Sequence, residues 1–178
     1  MRIGIRDMIL VALFAALTAI GAWIRIPIQP VPVTFQVFFA LLAGAILGAW
    51  LGALSQIIYI LLGCIGLPVF AGGSSGLGVL FGPTGGYLFG FILGAYIIGK
   101  LVGIRQNSGY LWFLVSMLVG VVVIYLLGII QLVMVTRMTL QKALAVGVFP
   151  FIGIDLVKAL LAALVARKIS RFSEYIAD

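Results

Sequence analysis

"FPFIGIDLVKALLAAL", from Phe149 to Leu164, sets an acid and a base three residues apart inside one of the most apolar stretches of a chain that is only 8% charged. The stretch is long and apolar enough to be read as a membrane-spanning helix, and an i, i+3 spacing puts Asp155 and Lys158 on one face of it. If Arg167 marks one membrane boundary, a rise of about 1.5 Å per residue places Lys158 roughly 13 Å and Asp155 roughly 18 Å into a core about 30 Å thick. A lysine stem does not snorkel that far. Each unpaired charge near the centre of a spanning helix costs about 2.5–3.5 kcal/mol, so the two residues should face the bundle interior or a wet cavity. Charge alone leaves open whether they glue the bundle together or bind something.

The rest of the chain is of the same kind. Of 178 residues, 65% are hydrophobic, against roughly 45–50% in soluble domains, and mean hydropathy is +1.36. These values predict an all-α, polytopic membrane protein with a single integral membrane domain over residues 1–178. The net charge of +7 is not a nucleic-acid footprint, because the basic residues punctuate apolar runs and do not cluster with aromatics. A lone Cys64 has no internal partner and is read as a packing residue. The first 23 residues have the basic head and apolar body of a secretory signal. The run from Met8 to Ile24 is longer than a typical signal core, so a retained first helix is expected.

Hydropathy and breakers predict six spans, at about Asp7–Ile24, Phe35–Gly48, Leu51–Gly66, Thr84–Gly103, Tyr110–Thr136 and Phe149–Ala166. The second and third are short, which suggests tilted or recessed helices around a cavity. Two connectors stand out. "RIPIQPVPV" (Arg25–Val33) carries three prolines that exclude helix, and "GLPVFAGGSSGLGVLFGPTGG" (Gly66–Gly86) is apolar yet glycine-rich, suited to bending closely against something. A cytoplasmic amino terminus puts Arg2, Arg6, Lys100, Arg105, Arg167, Lys168 and Arg171 inside and leaves Arg25, Arg137 and Lys142 outside, as the positive-inside rule requires. Both unusual loops, about 25–33 and 66–84, then face the exterior with the Asp155–Lys158 pair beneath them.

Other residues admit two readings each. Gln36 is an amide for a ligand or a solvated helix end. Tyr87 and Trp23 offer a ring and a polar tip, or belong to an interfacial aromatic belt. Ala12, Ala15, Ala16, Ala19 and Ala22 recur at three- and four-residue spacing, a small-residue stripe for another helix, in this chain or in a partner. "GAYIIGKL" (Gly94–Leu101) has the glycines and lysine of a phosphate-binding loop, but Leu101 stands where Ser or Thr should hold magnesium, and no strand precedes it. "GLGVLFG" (Gly76–Gly82) is one residue too long for a dinucleotide fingerprint. The chain has no histidine, which excludes His-dependent triads, dyads and HExxH zinc sites. Only Asp155 lies inside a span, so a proton-sharing carboxylate dyad is excluded too. A Ser/Lys enzyme built on Lys158 is not excluded by composition.

"PVPVTFQVFFALLAGAILG" (Pro30–Gly48), "GLPVFAGGSSGLGVLFGPTGGYLFGF" (Gly66–Phe91) and "DLVKALLAALVA" (Asp155–Ala166) together resemble the BioY family, the biotin-specific substrate-binding (S) components of energy-coupling factor (ECF) transporters, over nearly the whole chain. The resemblance implies a six-helix bundle with both termini in the cytoplasm, set in the cell membrane. It implies high-affinity biotin capture from outside, in a pocket beneath the two loops, with Asp155, Lys158, Gln36, Ser74 and Tyr87 as contacts. Chemistry suggests Asp155 for the ureido N–H groups and Lys158 for the valerate carboxylate. As partners it implies a transmembrane coupling protein docked on Ala12, Ala15, Ala16 and Ala19, and two cytoplasmic ATPases. No cofactor, metal or nucleotide site is expected in this chain. Relatives commonly carry Pro-Gly before the aspartate where Gly153 and Ile154 stand here, which leaves the local backbone open. The alternatives are a self-sufficient carrier for a small carboxylated solute and an intramembrane enzyme using Lys158 and Asp155.

Overall fold

A computed structural model describes residues 4–105 and 109–177, the last seven of these by backbone alone. Arg2 therefore lies outside the described residues, as does the side chain of Arg171. The order of elements is α1 (Ile5–Trp23), β1 (Arg25–Ile26), β2 (Val33–Thr34), α2 (Gln36–Cys64), α3 (Leu77–Leu80), α4 (Gly85–Ile104), α5 (Tyr110–Thr136), α6 (Leu140–Gly147) and α7 (Phe149–Ala177). Five of the described helices, α1, α2, α4, α5 and α7, are long and apolar enough to cross a membrane.

The sequence predicts six spans, and the difference lies in α2. Its backbone leaves helical geometry at Gly48, where φ is 78° and ψ is −179°, a left-handed region that favours glycine. The chain doubles back there. Gln36 and Tyr59 are hydrogen-bonded across the turn, and a Cβ at Gly52 would strike Ala43 and Gly44. The arms 36–47 and 49–64 thus run antiparallel, in place of the roughly 44 Å rod that 29 continuous helical residues would make.

Lipid supplies no hydrophobic drive for helix association, so close backbone approach through small residues must carry it. Gly44 lies directly on Ala95 of α4, and Gly99 of α4 on the turn at Gly48 and Ala49; side chains at either glycine would collide with backbone. Ala159, Ala162, Ala163 and Ala166 form the corresponding buried stripe of α7. Pro150 sits in the first turn of α7, where its missing N–H is no loss, and residues 153–155 continue the helix without a break. The stretch Gly94–Leu101 is the interior of α4, so the phosphate-loop match is a packing seam.

Both unusual connectors lie at one end of the bundle. The proline-rich segment is extended, closed by antiparallel pairing of Arg25 with Thr34 and Ile26 with Val33. The glycine-rich segment folds back onto the helix ends. Phe70 is buried against Gly63 and lies edge-on to Tyr59, and Gly76 N–H donates to the Gly63 carbonyl at 2.8 Å. The two segments touch where the Arg25 guanidinium crosses Gly72, whose φ of 74° and missing Cβ both make room. α6 was not anticipated. It is eight residues long, too short for a hydropathy signal, and opens with Thr139 accepting from the Lys142 backbone N–H at 3.4 Å.

Candidate functional site

Beneath the two loops lies a chamber of about 530 Å³. The β-hairpin segment and the glycine-rich segment supply its roof and rim, the amino-terminal parts of α2, α4 and α7 its walls, and Ile124 and Tyr125 of α5 its far side. Asp155 and Lys158 both line it, at 2% and 4% exposure. Their shared face, read from the i, i+3 spacing, is therefore turned inward to a cavity and away from lipid.

The pair is held in a relay of charge-assisted bonds. Lys158 Nζ donates to Asp155 Oδ1 at 2.7 Å and to the Thr34 backbone carbonyl on β2, also at 2.7 Å. Tyr125 Oη donates to the other carboxylate oxygen, Asp155 Oδ2, at 2.7 Å. Bonds of this type are short and roughly twice as strong as neutral ones. A carboxylate offers about four acceptor positions and an ammonium three donors, so this relay leaves Asp155 with acceptor capacity and Lys158 with one donor. The pair is electrically neutral as a unit. Arg25, exposed at the rim, is a further cation lining the chamber and has no ion-pair partner among the described residues.

The remaining candidates are distributed as follows. Gln36 lines the chamber but is buried at 4% exposure, so it is not a solvated helix end. Its Nε2 donates to Tyr59 Oη, which donates in turn to the Val69 carbonyl at 3.1 Å, tying the start of α2 to the glycine-rich segment. Ser74 and Tyr87 line the chamber too, with hydroxyls committed to the carbonyls of Ala71 at 3.0 Å and Gly147 at 2.8 Å. Trp23 is 62% exposed and packs beside Gly73, outside the chamber. The alanine stripe divides. Ala15 and Ala22 are buried in the chain's own core, Ala19 is half-buried, and Ala12 and Ala16 are exposed. Ala15 is thus unavailable to a partner in this arrangement.

Three contributors escaped sequence reasoning. Tyr125 sits in an apolar run where a tyrosine reads as packing, Thr34 acts through its backbone, and Arg25 looked like a topology marker. The glycine-rich segment adds Gly78, Val79 and Gly82 to the wall, which gives the failed dinucleotide match a structural use. Among the described residues no cluster of His, Cys, Asp or Glu could hold a metal.

An apolar helical bundle with a charged relay facing a chamber beneath its loops defines a multi-pass membrane protein built to receive a small polar solute. The chain belongs to the BioY family, whose sequence pattern it matches over residues 1–175. It is 46% identical over 166 residues to the biotin transporter BioY of Thermotoga maritima, covering 93% of this chain and 96% of that one. It is 45% identical to the probable biotin transporter BioY of Pyrococcus horikoshii, covering 92% and 96%. A crystal structure of the S-component for biotin from an ECF-type ABC transporter matches with a TM-score of 0.88 at 28% identity, covering 94% of this chain and 92% of that chain.

Proposed function

We propose that this chain captures biotin and serves as the membrane-embedded substrate-binding subunit of an ATP-driven ECF-type transporter. The observation that carries the reading is the neutral Asp155–Lys158 pair lining a chamber of about 530 Å³ in a member of this family. A cyclic urea carries an N–H on each side of its carbonyl, so either edge of the ring presents one donor beside one acceptor. That is the complement of a carboxylate with open acceptor positions next to an ammonium with one free donor.

The same geometry favours a revised division of labour. Seating the valerate carboxylate on Lys158 would bring two carboxylates together in a dry site, where like charges repel strongly. Both members of the pair therefore read one edge of the ureido ring, Asp155 an N–H group and Lys158 the carbonyl beside it, while Arg25 at the rim takes the carboxylate. Gln36, Ser74 and Tyr87 shape the wall around the ligand.

The two arms of α2 each make a crossing, which restores six. The chamber faces the exterior of the cell membrane, because Arg6, Lys100, Arg105, Arg167 and Lys168 gather at the opposite end and the cytoplasmic side favours cations. A coupling protein docks on the face of α1 bearing Ala12, Ala16 and Ala19, and two ATPases supply the energy. No enzymatic role is assigned to the chain itself.

Calorimetry on purified protein with biotin, biotin methyl ester and riboflavin tests this. Biotin should bind tightly, the ester about tenfold more weakly through the loss of one charge-assisted contact, and riboflavin not at all. Equal binding of riboflavin, or none of biotin, would overturn the assignment.

A further inference from the structure

The carboxylate of Asp155 has a partner on each oxygen, and the two partners differ in kind. Lys158, one turn along the same helix, supplies charge to Oδ1; Tyr125, from α5, supplies a single directed hydroxyl to Oδ2. A carboxylate held only by the ammonium is free to rotate and offer both oxygens to it. The Tyr125 contact comes from a different helix and prevents that rotation, so the plane of the carboxylate, and with it the direction of its open lone pairs, is set by the α5–α7 seam. Tyr87 is the natural contrast. Its ring also lines the chamber, but its hydroxyl goes to the Gly147 carbonyl and does not touch Asp155.

We propose that Tyr125 is a specificity-determining positioning residue, fixing Asp155 so that the site demands an N–H donor on the edge of the ligand ring that faces it and rejects a ring that presents none there. The proposal rests on biotin being the ligand and adds to it the element that enforces the ureido pattern. Sites built around a buried directed acceptor discriminate strongly against a ligand that lacks the donor, because the acceptor is then left desolvated and unpaired.

The test compares biotin with its two cyclic carbamate analogues, in which oxygen replaces one or the other ureido N–H, on the full-length protein in detergent by calorimetry. Wild-type protein should prefer biotin by about 100-fold over one of the two, the analogue without the N–H that meets Asp155, and Tyr125→Phe should reduce that preference to about tenfold or less, since the freed carboxylate turns away from the ligand. Tyr110→Phe, which removes another α5 hydroxyl bonded to α7, that to the Leu160 carbonyl away from the chamber, should leave the preference intact. If Tyr125→Phe does not purify folded, a ring-fluorinated tyrosine at position 125 replaces it, and its more acidic hydroxyl should widen the preference. An undiminished preference in Tyr125→Phe, an unchanged one with the fluorinated residue, or an equal loss in Tyr110→Phe would overturn the assignment of Tyr125. Failure of wild-type protein to bind biotin would overturn the ligand reading, and this proposal with it.

Discussion

Two of the buried polar clusters in this bundle are built differently. One is the relay of Thr34, Lys158, Asp155 and Tyr125, which carries two full charges and faces the chamber. The other lies on the seam between α1 and α2, where Gln56 Nε2 donates to Thr18 Oγ1 at 3.3 Å and to Ser55 Oγ at 3.1 Å. All three of its residues are 0% exposed and none of them lines the chamber. Their hydroxyls are spent on the carbonyls of Phe14 and Gly52, and Gln56 Oε1 has no partner among the described residues. The sealed cluster uses neutral groups, whose interhelical bonds contribute on average only about 0.6 kcal/mol each. Among the described buried residues, charges, at about 2.5–3.5 kcal/mol apiece, appear only where a cavity adjoins them. The difference teaches that polarity alone does not mark a membrane binding site; charge beside an open volume does.

The sharpest way to break this contrast is at the charged cluster. Lys158→Met leaves Asp155 buried without its counter-ion and should weaken biotin binding by about 100-fold or more; calorimetry showing a loss under threefold would make the pair incidental. Arg25→Gln probes the rim, and it should weaken biotin about tenfold while leaving the methyl ester unchanged, so that acid and ester become equivalent. Retained discrimination would return the carboxylate to Lys158. The roof is probed by Gly72→Val, which forces a β-branched residue into positive φ and against Arg25. A strain of about 1 kcal/mol corresponds to roughly fivefold faster biotin release in stopped-flow displacement. Unchanged release would mean that the Arg25–Gly72 contact does not hold the roof in the bound state. Gln56→Leu is the control from the sealed cluster. It should change unfolding stability by less than about 1 kcal/mol and biotin affinity not at all; an effect on affinity would dissolve the distinction between the two clusters.

Much of this was legible in the sequence, for reasons that differ by element. α5 (Tyr110–Thr136) is a long uniform apolar run, and its bounds are those the hydropathy predicts. α7 was placed correctly at Phe149 but runs on past Arg167 to Ala177, because hydropathy ends where the charges begin while helical propensity does not. The reversal at Gly48 was read as a boundary between two spans, and the doubled-back α2 keeps that sense within one continuous element. Asp155 and Lys158 were visible because charge in an apolar helix has few explanations, and their common face followed from helical spacing. Arg25, Thr34 and Tyr125 were not visible as site residues, since their roles depend on a hairpin, a backbone carbonyl and a neighbouring helix that no local pattern specifies. The alanine stripe carried a spacing but not a direction, and the packing of α1 on α2 decided which of its members face outward.

The most direct test of the claim that this pair is held for a ligand is the double substitution Asp155→Leu with Lys158→Met, assayed for thermal unfolding and biotin binding in one preparation. Replacing a whole buried ion pair with apolar side chains of similar size is often neutral or stabilising. If the pair is held for a ligand, the double variant folds, melts at or above the wild-type temperature and shows no measurable biotin binding. A double variant that still binds biotin, or one that fails to fold, would show that the charges serve the bundle and not its guest.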